Sequence, residues 1–197
     1  MEQIDFAAPS WNCIYELLLD LAVNIQKSSF KPDIVVGVSR GGWVPARVLS
    51  DLLDNSNLAN IRVEFYSSIY QTTEKPVITQ PLSVPVLDKK VLVVDDIVDS
   101  GASLRLVHST LSKAASQVKS AVIYVKPWAG FHPDYFASST DTWVIFPWEL
   151  AETIRILMTK RNQTDLEWHP IEMKLINAGV NATLVTKLLN SVVRRST

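Results

Sequence analysis

The sequence predicts an α/β fold with a mainly parallel sheet flanked by helices. Apolar, β-branched runs such as Ile34–Val38 and Val91–Val94 are continuous rather than alternating, as strands buried on both faces are. Each run leads through a turn into a stretch with apolar residues at helical spacing, so strands and helices alternate along the chain. Charged turns stand at the carboxyl ends of these runs, where such sheets bind ligands.

At 197 residues the chain is long enough for one domain, with or without a small appendage. A net charge of −1 gives no global attraction to nucleic acid or to a membrane surface. No apolar run reaches membrane-spanning length, and MEQIDFAAP lacks a basic segment followed by an apolar one. The single cysteine, Cys13, excludes an intrachain disulfide and fits a reducing compartment. A soluble cytoplasmic protein is expected.

Taken in order, Ser10–Lys27 reads as a helix, with Pro9 and Ser10 as start signals and Trp11, Ile14, Leu18, Leu21 and Ile25 in register. Cys13 sits beside that face, where packing is expected rather than chemistry. A strand over Asp33–Val38 runs into Ser39-Arg40-Gly41-Gly42-Trp43 and a helix carrying Val44, Val48, Leu49 and Leu52. The glycines let backbone N–H groups face an anion, and Arg40 adds charge; the plain alternative is a tight turn with an exposed arginine. Ile61–Tyr66 reads as a strand. The following 67–85, with three prolines and no glycine, is too long for an ordinary connection and predicts a lid, a hairpin or an active-site loop.

The central stretch is VLVVDDIVDSGASL, Val91–Leu104. Asp95 and Asp96 are expected to stand where the strand ends. Asp99 begins a hydroxyl-rich loop entering a helix over Ala102–Ala114, an arrangement suited to a phosphate and a metal-bound polyol. Ser120–Val125 is a further strand, ending at Lys126-Pro127-Trp128. The aromatic segment His132–Leu150 contains a short strand, Trp143–Phe146. Trp128, Trp143 and Trp148, between Lys126 and Glu149, are either plain core or a platform for a flat heterocycle. Helices are expected over Glu149–Lys160, Pro170–Asn177 and Asn181–Val193. No metal-ligand spacing surrounds His108, His132 or His169.

VLVVDDIVDSGASL resembles the signature with which type I phosphoribosyltransferases bind phosphoribosyl pyrophosphate (PRPP), with serine at Ser100 and Ser103 where threonine is common. VSRGGW, Val38–Trp43, is similar to that family's pyrophosphate loop. The segment from Lys126 through DTWVIFPWE, Asp141–Glu149, is similar to the base-binding hood of the 6-oxopurine branch, especially the xanthine-guanine type. The resemblance spans about Ile34–Glu149 and does not reach the last forty or so residues.

The resemblance implies an α/β domain over 1–160 with a small hood at about 126–148, and the helical patterns beyond it read as a C-terminal extension over 161–197. It implies transfer of 5-phosphoribosyl from PRPP to hypoxanthine, guanine or xanthine, giving a purine nucleotide and pyrophosphate in purine salvage. It also implies Mg²⁺ as cofactor and a homodimer or larger homo-oligomer, with no nucleic acid or membrane partner expected. Carried over by position, Ser39, Arg40 and Gly41 hold pyrophosphate. Asp95 and Asp96 take the ribose hydroxyls, directly or through Mg²⁺, and Ser100, Gly101, Ala102 and Ser103 cradle the 5′-phosphate. Asp99 accepts the purine's imidazole proton. Lys126 donates to the 6-oxo group, Trp143 stacks on the ring and the Val144 backbone meets the pyrimidine edge. Glu149, longer than the usual aspartate, contacts base or metal.

Two other readings carry different chemistry. VLVVDD also resembles the magnesium strand of P-loop NTPases, but no G-x-x-x-x-G-K-[ST] occurs. A receiver-type acidic pocket would need acids where Ser39-Arg40 stand. Adenine as the base, or a non-catalytic PRPP-sensing regulator with the tail around Pro170–Arg195 binding nucleic acid, remain alternatives. Asp165, Glu167 and Glu172 dilute any basic patch there, and packing or dimerisation of the tail is favoured. A sensor of PRPP alone would not need Asp99, Lys126 and Trp143.

Overall fold

The computed structural model describes residues 5–66, 75–159 and 169–193. In chain order the elements are β1 (Phe6–Ala7), α1 (Trp11–Lys27), β2 (Ile34–Ser39), α2 (Trp43–Leu52), β3 (Leu58–Tyr66), β4 (Lys75–Gln80) and β5 (Lys90–Val98). They continue with α3 (Ala102–Leu111), β6 (Gln117–Val125), β7 (Tyr135–Ser139), β8 (Trp143–Val144), α4 (Leu150–Thr159), α5 (His169–Asn177) and α6 (Ala182–Val193). They fall into two compact units, Tyr15–Asp141 and Met1–Ile14 with Thr142–Thr197. The divisions between these units fall at 14/15 and 141/142.

The Tyr15–Asp141 unit holds a six-stranded sheet in the order β4-β3-β2-β5-β6-β7. All pairs are parallel except β3–β4. Ile34–Val38 and Val91–Val94 are wholly buried, which is why they read as unbroken apolar runs. β2-α2-β3 winds to one side of the sheet and β5-α3-β6 to the other, so the order reverses between neighbours β2 and β5. Ligands bind outside the strand ends at such a reversal.

β5 extends further than expected. Asp95 and Asp96 lie inside it, because the ladder to β6 continues through Val98↔Val125 while pairing with β2 stops at Gly37↔Val94. The acids therefore occupy the stretch where β5 has lost one neighbour and kept the other. β7, which completes the sheet, has no counterpart among the expected strands; its sequence YFASS is too polar to read as a buried run.

α3 seals the sheet with Leu104, Val107 and Leu111, its buried face as expected, and ends three residues earlier than Ala114. Leu104 is 1% exposed in the core shared with Val93, Val98 and Val122. Leu104→Ala is expected to cost about 2–5 kcal/mol, measurable as a lowered midpoint in urea unfolding.

Of the 67–85 stretch, 67–74 lie outside the described residues. The remainder begins as β4, antiparallel to β3, so that part resolves as the second arm of a hairpin-like pair. α1 starts as expected, with the Ser10 hydroxyl accepting the Cys13 N–H at 3.2 Å as an N-cap. Cys13 itself is exposed, against the expected packing role, because the buried face is carried by Ile14, Leu18, Leu21 and Ile25.

In the other unit, β8 is shorter than the expected Trp143–Phe146 strand and pairs in parallel with β1 as a separate two-stranded sheet. Ile145, Ile154, Ile171, Leu175, Val185, Leu189 and Val192 form its core, so the C-terminal helices pack with α4 into one body. Gly179, at φ +110°, ends α5 in a Schellman motif: its N–H donates to Ile176 O and the Val180 N–H to Leu175 O. Asn181 Oδ1 then accepts the Leu184 N–H and caps α6.

Candidate active site

Two turns meet where the strand order reverses. After β2, the Gly42 N–H donates to Val38 O at 2.9 Å and opens α2. Neither glycine of this turn needs a positive φ; both are needed for close approach. A Cβ on Gly42 would stand 2.8 Å from Asp95 Cα and nearer still to Val94 O, and one on Gly41 would run into the Asp96 carboxylate. Ser39 Oγ accepts from Asn60 Nδ2 at 3.1 Å, and Arg40, joined to Ser39 by a cis peptide bond, is exposed.

The paired acids turn back onto their own strand. Asp95 Oδ1 accepts the Asp96 N–H at 3.0 Å, and Asp96 Oδ1 the Ile97 N–H at 2.8 Å. Asp96 is buried. Burial pushes the Asp95 carboxyl well above the ordinary carboxylate range, and the adjacent Asp96 charge pushes it further. Crowded carboxylates of this kind suit a cation or a polyol that donates hydrogen bonds. Among the described residues no three His, Cys, Asp or Glu side chains cluster as a metal site. Asp95 and Asp96 are two adjacent carboxylates that could hold a metal.

After β5 the loop Asp99–Ser103 enters α3 through Gly101, whose φ of +82° requires glycine. Ser100 Oγ accepts the Ala102 N–H at 3.3 Å, and the Arg105 N–H returns to Gly101 O. Ser103 lies in the first turn of α3, so its N–H has no partner within the helix and suits an anion. The turn after β6 buttresses this loop. The Gly130 N–H donates to Ser100 O at 3.1 Å, Arg105 Nη2 donates to Gly130 O, and Phe131 packs so tightly that a Cβ on Gly101 would lie 2.6 Å from its Cβ.

Asp99 is exposed, and its Oδ1 accepts from the Trp128 indole Nε1–H at 2.7 Å. Lys126 is 6% exposed, with its ammonium 5.3 Å from the Trp128 ring centroid. Burial lowers the Lys126 pKa, while the charges of Asp99 and then Asp141 oppose that shift. Sequence reasoning named Trp128 only among three aromatics. Its position two residues after the lysine at a strand end was the available signal for a site role.

The structure thus brings Gly41 and Gly42 against Asp95 and Asp96, and Lys126 near Asp99, within the Tyr15–Asp141 unit. Trp143, Val144 and Glu149 belong to the other unit. There Trp143 is exposed and Val144 buried. Glu149 Oε1 accepts the Phe146 N–H at 3.1 Å, and Glu149 O accepts the Thr153 N–H as α4 begins. Phe146 stacks on Trp148 at 4.7 Å between centroids.

A family model described as the phosphoribosyl transferase domain matches residues 10–154. The chain belongs to that family. This phosphoribosyltransferase is 28% identical over 152 residues to a xanthine-guanine phosphoribosyltransferase of Gluconobacter oxydans (strain 621H), covering 76% of the chain and 88% of the relative. It is 38% identical over 121 residues to a xanthine-guanine phosphoribosyltransferase of Cereibacter sphaeroides (strain ATCC 17025 / ATH 2.4.3), covering 59% and 69%. Its fold matches the purine phosphoribosyltransferase of Pyrococcus horikoshii Ot3 with a TM-score of 0.67 and 37% identity, over 74% of the chain and 94% of that structure. The family match ends before α5 and α6.

Proposed function

We propose that the protein transfers 5-phosphoribosyl from PRPP to a 6-oxopurine, releasing pyrophosphate and forming a purine nucleotide. The observation that carries this reading is the close approach of Gly41 and Gly42 to Asp95 and Asp96 where the strand order reverses, with the left-handed Gly101 loop following directly. It supports reading these segments as an anion turn, a diol-binding acid pair and a phosphate loop along adjacent strands. The names of the relatives supply the base class.

Ser100–Ser103 hold the 5′-phosphate with backbone N–H groups and hydroxyls, which at a helix N-terminus adds about 0.3–1 kcal/mol from the dipole. Asp95 and Asp96 orient the ribose hydroxyls, and Ser39, Arg40 and Gly41 receive the pyrophosphate. Departure of pyrophosphate leaves an oxocarbenium-like ribosyl centre, as glycosyl transfer does generally. Fixed donors stabilise the charge on the departing oxygen. Asp95 and Asp96 would hold Mg²⁺, directly or through water and PRPP, and the ion would supply further charge neutralisation. Asp99 accepts the proton that the purine nitrogen loses as it attacks. Lys126 donates to the 6-oxo group of the base.

An ammonium at Lys126 suits an oxygen acceptor and opposes adenine's amino group. With PRPP and Mg²⁺ supplied, pyrophosphate release is expected with at least one of hypoxanthine, guanine and xanthine and to be slow with adenine. An adenine-only profile would overturn the base assignment. PRPP binding without turnover on any base would establish a regulator instead. A role as a homo-oligomer in purine salvage belongs to the same reading.

A further inference from the structure

We propose that Trp128 is a positioning residue for the proton acceptor: its indole N–H holds one oxygen of Asp99 so that the second takes the purine's proton. The inference rests on the reading of Asp99 given above. Trp128 is 59% exposed, so burial of the ring does not account for a tryptophan there. Its polar edge is committed to Asp99 at 2.7 Å and its ring lies toward the Lys126 ammonium. One side chain thus touches both the acid that accepts a proton and the ammonium that meets the base.

The backbone makes this placement rigid. Pro127 occupies the second position of a turn closed by the Ala129 N–H on Lys126 O at 3.0 Å, where its restricted φ is favoured. Trp128 follows at the tip. The same turn is tied to the phosphate loop through Gly130 N–H to Ser100 O and Arg105 to Gly130 O. Asp99 opens that loop and has no helix to hold its rotamer. A donor on a braced neighbouring turn supplies what the loop lacks.

During transfer the purine N–H bond breaks as the new nitrogen–carbon bond forms and the carbon–oxygen bond to pyrophosphate breaks. The proton goes to the Asp99 oxygen that Trp128 does not hold. Trp128 keeps its own proton throughout and is chemically unchanged.

Steady-state kinetics on the full chain with PRPP, Mg²⁺ and the preferred base test this. Trp128→Phe keeps the ring and removes the donor, and should lower kcat about tenfold, the size of one hydrogen bond to a charged group, with the KM for PRPP unchanged. Trp128→His should recover part of that loss, because its five-membered ring carries an N–H at similar reach. Unchanged kcat in Trp128→Phe, equal loss in both variants, or a lowered KM for the purine would overturn the proposal; the last would make Trp128 an obstruction in the base pocket. The indole N–H resonances of the six tryptophans give an arm independent of turnover. The peak lost in Trp128→Phe should move upfield in Asp99→Ala, and an unmoved peak would remove the hydrogen bond. Absence of turnover in the parent protein would overturn the enzymatic reading while leaving the resonance result to decide the contact.

Discussion

Asp99→Asn is expected to lower kcat by roughly 10²–10⁴-fold, the usual contribution of a general base, and to leave PRPP binding nearly unchanged. Asparagine retains an oxygen that accepts from the Trp128 indole, so the loop geometry survives while proton affinity is lost. Asp99 stands outside the strand that carries Asp95 and Asp96 and outside the helix that carries Ala102 and Ser103, so the substitution leaves their hydrogen bonds in place. Single-turnover pyrophosphate release and an equilibrium PRPP titration separate the two effects. Unchanged turnover would remove Asp99 from the mechanism, and lost PRPP binding would reassign it to substrate holding.

Gly41→Ala is expected to weaken PRPP binding by about tenfold to a hundredfold, as an overpacking cost of about 1–3 kcal/mol falls on the binding turn itself. The added methyl would stand 2.5 Å from Asp96 Cγ and 2.7 Å from its Oδ1, and closer to Oδ2. Relief requires the Asp96 carboxylate to leave the Ile97 N–H or the β2–α2 turn to lift away. Either movement separates the residues assigned to pyrophosphate from those assigned to ribose. Calorimetric titration with PRPP, read beside the thermal midpoint, measures the binding loss apart from any general destabilisation. Wild-type affinity would mean that the two turns do not share a substrate.

Much of the parallel sheet was legible because burial on both faces forces unbroken apolar runs, as at Ile34–Val38 and Val91–Val94. β7 was not, since YFASS lies at the sheet's edge with Phe136 exposed and carries no such run. The end of β5 was misplaced for a related reason. Two aspartates read as a strand terminus by composition, yet the ladder to β6 holds them extended through Val98. Packing of α5 and α6 with α4 was equally hidden, because an amphipathic helix states which face it buries and not what covers it.

For the site, local spacing sufficed wherever a function sits within one turn. Asp95, Asp96, Asp99, Gly101 and Ser103 form a single local word, and the sequence alone determined both that word and the αβ alternation that delivers it to a strand end. What only the tertiary structure decided are the pairings between distant segments. Gly41 lies against Asp96 55 positions further on, Phe131 against Gly101, and the Trp128 indole on Asp99 29 residues away. Such contacts follow from strand order and from the turns that strand order juxtaposes, and no periodicity along the chain encodes them. Asp99 therefore reads as an acid from its sequence, while the tryptophan that holds it emerges only when β5 and β6 lie side by side.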